Sequence, residues 1–250
     1  MSSMPPPPPP MSPPPGYVAY GGPGASAGAF QGIRSISKAM VVLLWIYLPL
    51  QILSILDQIR LARQARRFLD GTITEQAFKD TVQVNPSSII GLMVVPIAVL
   101  TMIWMFRMAA NLRKIGRPGQ TWGPGWGVAS WFVPPCIIYA VPWLMFKELW
   151  RGSDPDRAPG DPGWKQGDVP PVITLWWVLY GLVPLLGFFS AAGVAGQLRS
   201  GMPMRTLAER FRDYATANIV LAVVGMATTY VYIRLVQQLS GRHMLATREA

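Results

Sequence analysis

Few side chains in this 250-residue sequence can carry chemistry. Cys136 is the only cysteine and His243 the only histidine. An intramolecular disulfide, a histidine-based metal cluster and a His-containing nucleophilic triad inside the apolar segments are therefore not expected. Asp57 and Glu148 are carboxylates beside apolar runs with arginines nearby, the residue types that acid/base chemistry uses. Arg107 and Asn111 are four residues apart and so share a helical face, where a guanidinium could attract an anionic group and an amide orient it. Asp154, Asp156, Asp161 and Asp168 stand among prolines and glycines without the ordered spacing and terminal Glu of a calcium loop. They read as an acidic solvated loop. No residue is assigned as catalytic, cofactor-binding or metal-ligating, and no cofactor is implied.

The elements that must position these residues are five long apolar stretches, Met40–Leu56, Ile89–Phe106, Val128–Phe146, Val172–Val194 and Ala215–Val236. About 20 residues at a 1.5 Å rise cross the hydrocarbon, so each is long enough once its flanks are counted. The chain is 51% hydrophobic and only 14% charged, against about 25% charged in soluble domains. The expected fold is all-α, a polytopic membrane helix bundle of about five transmembrane helices, some kinked by proline. Three regions follow: residues 1–33 as a disordered Pro/Gly-rich tail, 34–239 as a five-span transmembrane domain, and 240–250 as a short polar C-terminal tail containing His243.

Within the tail, Pro5–Pro10 and Pro13–Pro15 favour polyproline II and the following glycines restore flexibility. It reads as a tether, or as a docking peptide for an aromatic groove. The first stretch runs on into Asp57 and then Arg60, Arg63 and Arg67 at helical spacing, a helix leaving the membrane with arginines at the interface. A short helix is expected from Thr74, with Thr72 and Glu75 at capping-box spacing. Pro96 can bend the second stretch, and Gly116, Pro118 and Gly119 end the run after it. The third stretch holds Trp131, Pro134, Pro135 and Pro142, then Lys147-Glu148 and Trp150, and reads as one kinked span. Small residues in the fourth and fifth stretches suit close helix packing. The candidate positions for a polar or kinked functional site are Asp57, Arg107, Asn111, Trp131, Pro134, Pro135, Pro142, Glu148 and Trp150.

The formal charge of +10 gathers at the ends of the apolar stretches rather than in a basic domain. Lipid headgroups, not nucleic acid, are the expected partners, with a membrane-protein partner or a second copy of the chain as the other candidates. An odd number of spans puts the two termini on opposite sides. Lys and Arg divide almost evenly between those sides, and the compact basic connectors favour a cytoplasmic N terminus. The local echo of Arg107-x-x-x-Asn111-Leu112 in Arg234-x-x-x-Gln238-Leu239 reads as similar selection at span exits, since helices two and five would run in opposite directions.

The ordered pattern Phe106-Arg107-Met-Ala-Ala-Asn111-Leu112, Trp126-Gly-Val-Ala-Ser-Trp131-Phe132-Val-Pro134, Pro142 and Leu149-Trp150-Arg151-Gly-Ser153-Asp154-Pro155 resembles the DUF4328 family of predicted actinobacterial membrane proteins. The chain departs from the family-like Pro-Ile-x-Asn pattern by carrying Pro134-Pro135-Cys136-Ile137. The resemblance implies a bacterial integral membrane protein of the cell membrane and supplies no activity. The expected role is structural or protein-interacting, with a small-molecule transporter or channel component as the alternative.

Overall fold

A computed structural model describes residues 29–83, 92–132, 135–181 and 203–249, with residues 135–138 described by backbone alone. Helix α1, Arg34–Leu69, has 36 residues and is about 54 Å long. That exceeds the roughly 30 Å of hydrocarbon, so its apolar half crosses while the half bearing exposed Arg60, Arg63, Arg66 and Arg67 projects beyond. Helix α2, Glu75–Gln83, is capped by Thr74, whose hydroxyl accepts the Ala77 N–H at 3.3 Å. The Thr72 N–H instead closes the end of α1 on the Arg67 carbonyl at 2.8 Å.

Helix α3 spans Val94–Ile115 and stops at Gly116, whose φ of 81° is the left-handed conformation that glycine adopts without cost. Pro96 falls in its first turn, where a missing N–H costs nothing, so it starts this helix rather than bending it. The third apolar stretch is two helices, not one kinked span: α4, Trp126–Ala129, and α5, Pro135–Gly152. Pro135 is the first residue of α5, where its ring is suited to helix entry, and Pro142 lies within the helix. Pro134 lies outside the described residues. A short 3-10 helix, Pro162–Gln166, precedes the apolar helix α6, Pro171–Gly181. The rest of the fourth stretch, with its small residues, also lies outside the described residues. Helices α7, Met204–Asp213, and α8, Ala215–Thr247, complete the chain.

Three of these helices, α1, α3 and α8, are long and apolar enough to cross a membrane. The protein is a multi-pass, all-α membrane protein. Its main core joins α1, α3, α5, α6 and α8 through side chains such as Met40, Trp104, Phe146, Trp176 and Val236. A smaller core of Ala65, Phe78 and Ala208 ties the projecting end of α1 to α2 and α7.

Helices α3 and α8 run parallel, since contacts climb both together: Thr101 to Tyr232 at 2.8 Å, Trp104 to Ser240 at 3.0 Å, and Asn111 to His243 at 3.1 Å. The expected opposite directions therefore do not hold. Nor do opposite-facing termini, for the described chain ends meet: both Ile33 and Arg34 donate backbone N–H groups to the Glu249 carboxylate at 3.0 Å. The reason is the stretch from Gly116 to Gly152. It dips back along α3, where Gly127 of α4 lies against the backbone of Phe106, and returns through α5 to the end it left, Arg117 Nε meeting the Gly152 carbonyl at 2.9 Å.

Candidate functional site

The two groups expected to share a face of α3 do so, and both turn towards the chain's own backbone. Arg107 donates to the Gly32 carbonyl at 2.7 Å. Asn111, fully buried, accepts the Gln31 N–H at 2.8 Å and donates to the Gln31 carbonyl at 2.9 Å. One turn further along, Lys114 reaches the Ala29 carbonyl. With Glu249 on Ile33 and Arg34, these contacts clamp the segment 29–34 onto the ends of α3 and α8. Arg107 thus straps the chain's own N-terminal segment to α3.

Beside the clamp sits His243, which is in α8 and fully buried rather than in a polar tail. Its Nε2 lies 3.1 Å from Asn111 Nδ2 and its Nδ1 lies 2.7 Å from Ser153 Oγ. The Gln31 backbone fixes the Asn111 amide, because an N–H must meet the Oδ1. Asn111 Nδ2 is then a donor, His243 Nε2 an acceptor, and the ring proton sits on Nδ1 and points at Ser153. A Ser–His pair does exist, which the sequence did not lead us to expect. Its polarity is wrong for catalysis, because a general base must accept the serine proton, and both side chains are sealed from solvent.

The dipping stretch is held by two more charged groups. Arg117, buried, spends its guanidinium on the carbonyls of Gly152, Asp154, Arg157 and Ala158, at 2.7–3.2 Å. It caps the C-terminal end of α5, where carbonyls lack helical partners and a cation suits the dipole. The Glu148 carboxylate accepts the N–H groups of Thr121 at 2.6 Å and Trp122 at 3.1 Å, fixing the way into the dip. Trp150 stacks beneath Arg242, whose guanidinium lies 4.8 Å from the ring, while Arg242 also pairs with Asp154 at 2.9 Å. Asp161 caps the 3-10 helix, accepting from Gly163 N at 2.8 Å and Arg157 at 3.0 Å. The Gly163 N–H, then Arg157, hold its carboxyl below the ordinary range. Among the described residues no group of three or more His, Cys, Asp or Glu could hold a metal ion.

The ordered sequence pattern from Phe106 to Pro155 runs through α3, α4 and α5, and a family model described as a domain of unknown function, DUF4328, matches residues 70–241. The chain belongs to the DUF4328 family. Comparison with curated proteins and with solved structures gives no match. Within the DUF4328 region the pattern is now physically legible. A Cβ on Gly127 would come within 2.7 Å of the Phe106 nitrogen, so that position lets two backbones meet, and one on Gly152 would come within 2.4 Å of Leu112 Cδ2, so that position makes room for the Leu112 side chain. Ser153 serves His243 and Asp154 serves Arg242. By contrast the Arg234 echo is not a counterpart of Arg107, since Arg234 and Gln238 are exposed while Asn111 is buried.

Of the candidate positions, Arg107, Asn111, Glu148 and Trp150 gather at the end that carries both chain ends. Asp57 is buried elsewhere, on α1. Trp131 lies deeper, edge-on to Tyr180 with ring centroids 6.1 Å apart. Its Nε1 is buried with no hydrogen-bond partner among the described residues. Trp131 is part of the second feature of this DUF4328 chain, a cavity of about 540 Å³ between α1, α3, α6 and α8. Gln51 and Thr229 meet across its wall at 2.8 Å. Sequence reasoning missed this pair, as well as Glu249, the burial of His243 and its contact with Ser153.

Proposed function

We propose that the protein is a non-enzymatic membrane scaffold that holds its proline-rich N-terminal segment at a fixed point on one membrane face, for a partner protein to bind. The clamp on residues 29–34 carries this reading, because four side chains, Arg107, Asn111, Lys114 and Glu249, are committed to the backbone at the root of that segment. A preformed polyproline helix suits an aromatic-lined groove. In this reading both ends face the cytoplasm. The chain crosses the membrane four times, through α1, α3, the stretch opened by α6, and α8, and the stretch from α4 to α5 is a re-entrant hairpin. Nucleic acid has no place in it. In-membrane crosslinking followed by copurification is the test: a defined partner should be captured by the full chain, and lost on removal of residues 1–28 and on R107A/N111A alike. A protein isolated under mild extraction as a partnerless monomer would contradict the proposal.

A further inference from the structure

The cavity between α1, α3, α6 and α8 has the dimensions and lining of a binding site. Its volume of about 540 Å³ falls in the range of sites for small ligands and cofactors, about 300–1,000 Å³. Among the described residues no Lys, Arg, His, Asp or Glu lines it, so an ionised headgroup would be left there without a counter-charge, which is costly in an apolar site. The occupant must be neutral. One side of the cavity is aromatic, with Trp176 and Tyr180 stacked at 4.9 Å and Trp131 set against Tyr180. The α1 side is polar, where the Gln51 amide donates to Thr229 and the Tyr47 hydroxyl adjoins the same amide. The threonine hydrogens there are committed within α8, from Thr229 to the Gly225 carbonyl at 2.9 Å and from Thr228 to the Val224 carbonyl at 2.8 Å. On the α1 side Gln51 and Tyr47 can address a ligand, and on the aromatic side the Trp131 Nε1–H has no partner among the described residues. Flat aromatic walls facing a hydrogen-bonding corner suit a planar ring bearing carbonyl oxygens, and the apolar remainder suits a hydrocarbon tail.

We propose that this cavity binds a neutral, ring-headed membrane amphiphile of the isoprenoid-quinone type, its ring along the Trp131–Trp176–Tyr180 wall and its carbonyl towards Gln51 and Tyr47. The proposal is independent of the scaffold reading. Gly225 supplies a clean block. Among the described residues a Cβ there would meet only Gln51 Oε1, at 3.7 Å, so a larger side chain has room to enter the cavity.

The test uses the full chain in phosphatidylcholine nanodiscs, with decylubiquinone as probe and quenching of tryptophan fluorescence as readout. Wild type and V42L, altered on the outward face where Val42 is 57% exposed, should show the same saturable quench. G225L and Q51L should bind roughly tenfold more weakly or worse while unfolding at temperatures close to wild type. Should G225L fail to fold, Q51L decides. Quenching that rises without saturation, that is unchanged in Q51L, or that excess hexadecanol reverses would overturn the proposal, the last by showing a plain acyl-chain site.

Discussion

At the scale of single residues, one glycine and one histidine carry the packing at the clamped end. Gly152 faces Leu112, which is fully buried and has nowhere to go. G152A should therefore destabilise the protein by about 1–3 kcal/mol through overpacking, read as a lower unfolding temperature in detergent. G241A should change little, because nothing among the described residues lies within 4 Å of a Cβ at Gly241. For His243 the hydrogen-bond polarity predicts a neutral ring with its proton on Nδ1, which ¹⁵N NMR of the labelled chain reads directly. A proton on Nε2 would undo the argument for a purely structural Ser153–His243 pair. H243A should orphan Ser153 and Asn111 at about 1–3 kcal/mol for each buried group left unsatisfied. The sequence showed Asn111, Gly152 and Ser153 as members of a pattern, without their purpose. His243 was hidden because the exposed Gln237 and Gln238 break the apolar run. Val236, Leu239, Ser240, His243 and Thr247 are all buried at helical spacing, so an amphipathic reading past Val236 would have found it.

At the scale of elements, the stretch from Gly116 to Gly152 is the feature that hydropathy could not separate. Val128–Phe146 is apolar enough to pass for one span, and Pro134-Pro135 reads equally as a kink or as a helix start. What decides is polar and distant in sequence, with Glu148 binding the amides of Thr121 and Trp122 and Arg117 binding the carbonyls at the end of α5. E148Q should speed hydrogen exchange at the Thr121 and Trp122 amides while leaving α1 and α8 unchanged. R117M should cost about 2 kcal/mol, since it takes a charged donor from the buried Gly152 carbonyl and from three part-buried ones. The 3-10 helix contributes a pH dependence. The Gly163 N–H, followed by Arg157, lowers the Asp161 pKa in the folded state below its ordinary 3.8. The folded chain thus binds that proton less readily than the unfolded chain. Its stabilising effect is present above the ordinary aspartate value and is lost as pH falls through the lower folded one. D161N should flatten that acid limb in a thermal-stability profile against pH.

At the scale of the whole molecule, membrane residence and helical class were plain from the apolar stretches, because long uncharged runs depend on no distant contact. The arrangement of those stretches was not, since one hairpin that returns to its own side changes the direction of every helix after it. Helices α3 and α8 become parallel, His243 reaches Asn111, and Glu249 reaches the N-terminal segment. The fixed root of the N-terminal segment, and hence the scaffold reading, depends on that arrangement. It is tested most directly by labelling single cysteines placed at Ser26 and at Ala250 in a C136A background, with a membrane-impermeant maleimide on vesicles of known sidedness. Both positions should react in the same vesicle orientation and be protected in the other. Reaction of the two positions from opposite sides would contradict it.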